Sequence, residues 1–64
     1  MSGYGWNYLL VKREQTPARW VGSDGCVYPS ETEMFYELGA TGWELVAIRG
    51  TDEHEVYYFK RPRA

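Results

Sequence analysis

His54 stands between Glu53 and Glu55, two residues after Asp52. A histidine among carboxylates is the material of a metal site or an acid–base centre. In a regular strand, however, neighbouring side chains point to opposite faces, so Glu53 and Glu55 cannot both flank the His54 ring. The run also lacks the histidine spacing of metal-binding motifs. A solvated histidine at the end of a turn is the simpler reading. Cys26 is the single cysteine. As a nucleophile it would need His54 as its base and a third group to orient that base. No catalytic signature surrounds it, and a free cysteine commonly behaves as a small apolar residue. With one cysteine and one histidine the chain has no internal disulfide and no closed structural zinc site. Gly3-Tyr4-Gly5 and Gly22-Ser23-Asp24-Gly25 lack phosphate-loop spacing and read as turns. No acid, base and nucleophile assemble into a set, so the chain is expected not to be an enzyme, and no catalytic, metal or cofactor site is expected.

The cations offer a different chemistry. Lys12 and Arg13 end the first apolar run, and Lys60, Arg61 and Arg63 crowd the last one. If the two runs are neighbouring strands, these five residues form a basic pole near Tyr8 and Tyr58. Basic and aromatic groups together bind nucleotides or single-stranded nucleic acid. Against this, the formal net charge is -2, whereas proteins that hold phosphates tend to be basic. Lysine and arginine at strand ends also serve to blunt exposed sheet edges. Trp20 and Arg19 are of types enriched at interface hot spots and are candidates for contact with a foreign protein; a core position for Trp20 is equally consistent with the sequence.

These residues must be carried by a small scaffold. The chain has 64 residues, of which 17% are aromatic. At that size one core gives roughly 3–5 kcal/mol, and support from a partner subunit is common. Residues 4–13 alternate as a strand, with Tyr4, Trp6, Tyr8 and Leu10 on one face and Leu9 and Val11 on the other. Asp24-Gly25 between short apolar runs predicts a hairpin over 19–28. Ser30 with Glu33 three residues later makes a capping box that predicts a helix over 30–39. Met34, Phe35 and Leu38 are its apolar stripe, and Gly39 is its expected left-handed stop. Residues 43–49 and 54–61 read as two strands joined at Gly50 to Glu53. Pairing Glu44 with Lys60 and Arg49 with Glu55 sets opposite charges across the pair.

That register puts Trp43, Leu45, Ala47, Tyr57 and Phe59 on one face and Val46, Ile48, Val56 and Tyr58 on the other. The expected fold is α+β: an antiparallel sheet of three to four strands with one helix packed on one face. One helix shields one face only. The second apolar face is therefore expected to meet another copy of the chain through Val46, Ile48, Val56 and Tyr58. No apolar run approaches the roughly 20 residues of a membrane span, and residues 1–4 lack the features of a signal peptide. A cytoplasmic protein is the expectation.

At Leu38-Gly39-Ala40-Thr41-Gly42-Trp43-Glu44-Leu45-Val46, followed by Tyr57-Tyr58-Phe59-Lys60-Arg61-Pro62, the chain resembles a family of small bacterial and phage proteins known as domain of unknown function 4177. Trp6-Asn7-Tyr8-Leu9-Leu10-Val11 looks like the first strand of that family. The resemblance covers this strand and the stretch from about Glu33 to Pro62; residues 15–28 depart from it and read as an inserted hairpin. It implies a strand–helix–strand–strand fold and a bacterial or phage origin, and no chemistry. The function expected is that of a homo-oligomeric binder, inhibitor or regulator of a host protein. The alternative is a nucleotide or nucleic-acid binder with Tyr and Arg pockets between subunits.

Overall fold

The computed structural model describes residues 5–51 and 54–63. In chain order the elements are β1 (Trp6–Glu14), β2 (Arg19–Gly22), β3 (Val27–Tyr28), α1 (Glu31–Ala40), β4 (Glu44–Arg49) and β5 (Val56–Pro62). The five strands form one open antiparallel sheet in the order β3-β2-β1-β5-β4. The sheet thus has five strands rather than three or four, because the short hairpin β2–β3 joins the edge of β1 and extends the main sheet. Tyr4, expected to open the first strand, lies outside the described residues, as do Asp52 and Glu53.

The helix starts where its cap dictates. Ser30 is extended (φ -149°, ψ 160°), and its side chain accepts a hydrogen bond from the Glu33 amide at 3.1 Å. It ends one step later than expected. Gly39 is helical, and the left-handed residue is Gly42, at φ +89°. The Trp43 amide donates to the Leu38 carbonyl at 2.9 Å and the Gly42 amide to that of Gly39 at 3.1 Å. This pair of bonds is a Schellman stop with Thr41 as the cap.

One face of α1 lies on the sheet. Met34 and Leu38 are buried with Leu9, Val11, Trp20, Tyr28, Tyr57 and Phe59. Phe35 closes the cluster edge-on to Tyr57, with ring centroids 6.0 Å apart and planes at 73°. These contacts span β3 to β5 and fall short of the outer strand β4. Leu45 and Ile48, on the helix side of β4, stay 38% and 46% exposed.

The register of β4 corrects the sequence reading. Glu44 faces Lys60 and Leu45 faces Phe59, but a bulge between Leu45 and Ala47 shifts the rest. Ala47 then faces Tyr58, Ile48 faces Tyr57 and Arg49 faces Val56. Arg49 therefore does not pair with Glu55. A bulge inserts one residue and reverses the alternation beyond it. Ala47 moves to the face of Tyr58, and Ile48 moves to the helix side with Tyr57. Glu55 instead meets Arg13, Nη1 to Oε1 3.8 Å.

Candidate binding face

The side of the sheet turned away from α1 carries alternate residues of each strand, with the alternation on β4 shifted at the bulge. On β1 these are Trp6, Tyr8, Leu10 and Lys12, since Leu9 and Val11 point into the core. The ladder adds Val56, Tyr58 and Lys60 from β5, then Glu44, Ala47 and Arg49 from β4. Val21 and Val27 extend the same face on the hairpin. Trp6, Tyr8, Leu10, Val27 and Val46 are 39–65% exposed. Tyr8, Val46, Ala47, Arg49 and Tyr58 line a shallow depression of about 180 Å³. Of the residues expected to self-associate, Val46, Val56 and Tyr58 belong to this face, and Ile48 lies on the other. Trp6, Tyr8 and Leu10 complete the face. Their alternation was visible in the sequence, but which alternate set the helix covers was not.

The helix side has a larger cleft of about 570 Å³ at the C-terminal end of α1. Its lining includes Tyr28, Leu38, Trp43, Asp24, Glu37 and Arg61. Burial pushes the Tyr28 hydroxyl pKa above its ordinary value, and Cys26, Asp24 and Glu37 push it in the same direction. The Arg61 guanidinium lies over the Trp43 ring, 4.4 Å from its centroid, and donates to the Thr41 carbonyl at 2.8 Å. A cation already engaged, beside two carboxylates, does not make a phosphate site.

The five basic residues do not form one pole. β1 and β5 are neighbours, as the basic-pole reading required, but they run antiparallel. Lys12 lies level with Val56, while Lys60 lies level with Tyr8. The two groups are four residues apart along the ladder, roughly 14 Å. Alternation also splits each group between the faces. Lys60 sits over the Trp6 ring at 4.0 Å on the open side. Arg61 is on the helix side, and the Arg63 Nε donates to Asn7 Oδ1 at 3.4 Å. Arg13 is also on the helix side, 5.6 Å from the centroid of Trp20.

Trp20 is a core residue at 9% exposure. Arg19 precedes it on β2, so their side chains leave opposite faces, and the Arg19 Nε donates to Glu14 Oε1 at 2.9 Å. Arg19 and Trp20 therefore do not form a joint contact site for a partner. Trp20 instead belongs to a polar group beneath the start of α1. The Tyr57 hydroxyl donates to Glu31 Oε2 at 2.6 Å and lies 3.3 Å from Glu55 Oε1. The buried Nε1 of Trp20 makes no hydrogen bond among the described residues, and Trp20 acts to lower the Tyr57 pKa. Burial and the Glu31 bond outweigh it, and the pKa is pushed up to about 12.

Cys26 is exposed in the β2–β3 turn, which is tied to Leu10 through the Ser23 amide. His54 is exposed in the β4–β5 turn, where its amide donates to the Thr51 carbonyl at 3.0 Å. The β2–β3 and β4–β5 hairpins lie on opposite sides of β1 in the sheet. Among the described residues, no three of His, Cys, Asp and Glu gather as a metal site, and no helix is long and apolar enough to cross a membrane. No family model, no curated protein and no solved structure matches the chain.

Proposed function

We propose that this chain is a non-catalytic binding module whose working form is a homo-oligomer assembled through the open face of the sheet. The observation that carries the reading is the run of exposed apolar side chains on that face: Trp6, Tyr8, Leu10, Val27 and Val46. An isolated subunit seldom leaves a contiguous apolar patch of more than a few hundred Å² in water. Stacking a second sheet on it at about 10 Å gives the two-layer arrangement of a sandwich. Assembly leaves the helix side free, with its cleft and with Tyr36, which is 78% exposed. The module then acts by occupying a surface of another protein, as an inhibitor or regulator. The glycine–tryptophan–glutamate phrase at Gly42 to Glu44 supports a bacterial or phage setting for it.

Val46→Lys and Val56→Lys test the reading. Both are expected to lower the assembled fraction at micromolar concentration while the circular dichroism of the subunit is kept. Unchanged assembly in both variants overturns it. The stack of Lys60 on Trp6, with Tyr8 beside it, favours a second reading in which the same face holds single-stranded nucleic acid. Binding of short oligonucleotides that weakens steeply with salt is the outcome that selects it.

A further inference from the structure

Three rungs of side chains cross the open face from β1 through β5 to β4. The first is Tyr8, Lys60 and Glu44; the second is Leu10, Tyr58 and Ala47; the third is Lys12, Val56 and Arg49. Successive rungs are two residues apart, about 6.8 Å. Glu44 and Arg49 share this face only because of the bulge at Val46. In an unbroken strand an odd spacing would send them to opposite sides. The outer rungs therefore carry opposite charges on β4, at equal distances from an uncharged middle rung.

We propose that two copies pack open face to open face about a two-fold axis lying along the middle rung, so that Glu44 of each copy meets Arg49 of the other. The inference rests on the reading that this face self-associates, and it specifies how. Rotation about that axis exchanges the outer rungs and returns the middle rung to itself. Leu10, Tyr58 and Ala47 then meet their own counterparts, apolar on apolar. The depression beside Tyr58 lies on the axis and receives the Tyr58 ring of the second copy. Lys12 comes over the Tyr8 ring of the second copy, where a cation above an aromatic face is attracted.

The opposite choice, a two-fold axis along the strands and centred on β5, sets Lys12 against Arg49 of the second copy. Like charges facing each other inside an interface disfavour that arrangement. Pairing two β4 edges would also join Glu44 to Arg49. The bulge breaks the β4 ladder, however, and bulges are a common means of keeping edges apart. Edge pairing would also leave Trp6, Tyr8 and Leu10 in water.

The experiment is sedimentation velocity at low and moderate salt on the wild type, Glu44→Arg, Arg49→Glu, the double exchange and Leu10→Lys. Circular dichroism and a thermal melt establish that each is folded. Each single charge reversal is expected to raise the dimer Kd at least about tenfold, and the double exchange to restore it to near the wild-type value. Leu10→Lys is expected to give a folded monomer; if it does not fold, Tyr8→Lys, at the most exposed large apolar side chain of the face, takes its place. A dimer lost on Leu10→Lys but indifferent to both charge reversals overturns the proposed axis and leaves the self-associating face standing. A dimer that answers to the charges but not to Leu10→Lys is an edge-paired dimer and overturns the face-to-face arrangement. A wild type that is monomeric throughout overturns both.

Discussion

Replacing Tyr57 by Phe removes one oxygen from the centre of the polar group under α1. That oxygen donates to Glu31 at 2.6 Å, joining the first turn of the helix to β5. Hydrogen bonds to charged groups contribute about 1.5–3 kcal/mol, and because the Glu31 carboxylate is exposed to water the lower end applies. At pH 8 the variant is therefore expected to be about 1.5 kcal/mol less stable. The pH dependence is the sharper test. The folded pKa of Tyr57 is raised to about 12 from an ordinary 10.0. Below pH 10 the hydroxyl is protonated in both states and its contribution is complete. Between pH 10 and 12 the unfolded chain gives up this proton first, so folding is progressively disfavoured. The stability gap between wild type and Tyr57→Phe should then close by up to about 1.4 kcal/mol per pH unit in that window. Urea titrations of both proteins at one concentration, from pH 8 to pH 11.5, measure it. An equal gap at both ends of that range is incompatible with a stabilising Tyr57–Glu31 bond that is lost on ionisation, and so is the absence of any gap at pH 8.

Two glycines of the helix end should behave oppositely. Gly39 is helical with open space where a Cβ would sit, so Gly39→Ala is expected to stabilise by about 0.5–1 kcal/mol. Gly42 is left-handed, and Gly42→Ala is expected to cost roughly 1–2 kcal/mol; thermal melts of the two variants moving in the same direction would contradict this. Gly50, at φ +102°, has no room for a side chain, because a Cβ there would collide with the His54 carbonyl. Gly50→Ala is expected to destabilise more than Gly42→Ala, read as the shift in urea midpoint.

Much of the scaffold was legible because its signals are local. Ser30 with Glu33 marks the start of α1, and Asp24-Gly25 marks the hairpin, since caps and tight turns are set by residues within a few positions. The Glu44–Lys60 pair was legible from charge and spacing. What escaped depends on the chain as a whole. The bulge at Val46 lies in a run of apolar residues with no glycine to mark it, and it alone moves Ile48 off the open face. By sequence Gly39 reads as the helix stop; the Schellman bonds from Gly42 and Trp43 show that the left-handed residue is Gly42 instead. The basic pole failed on direction, because neighbouring antiparallel strands carry Lys12 and Lys60 to opposite ends. Trp20 was ambiguous because its burial depends on where α1 lands. The open face itself was foreshadowed by apolar residues on both sides of the strands, but its membership required the register.

Cover of the open sheet face by a second copy of the chain, as proposed, sets the native mass of the protein. The most direct measurement is the native mass of the unmodified protein by sedimentation equilibrium across a dilution series. One chain is 7.5 kDa. The expected mass at micromolar concentration is about twice that or a higher multiple, falling toward one chain on dilution. A mass of one chain at every concentration, with the apolar face still in water, would contradict it.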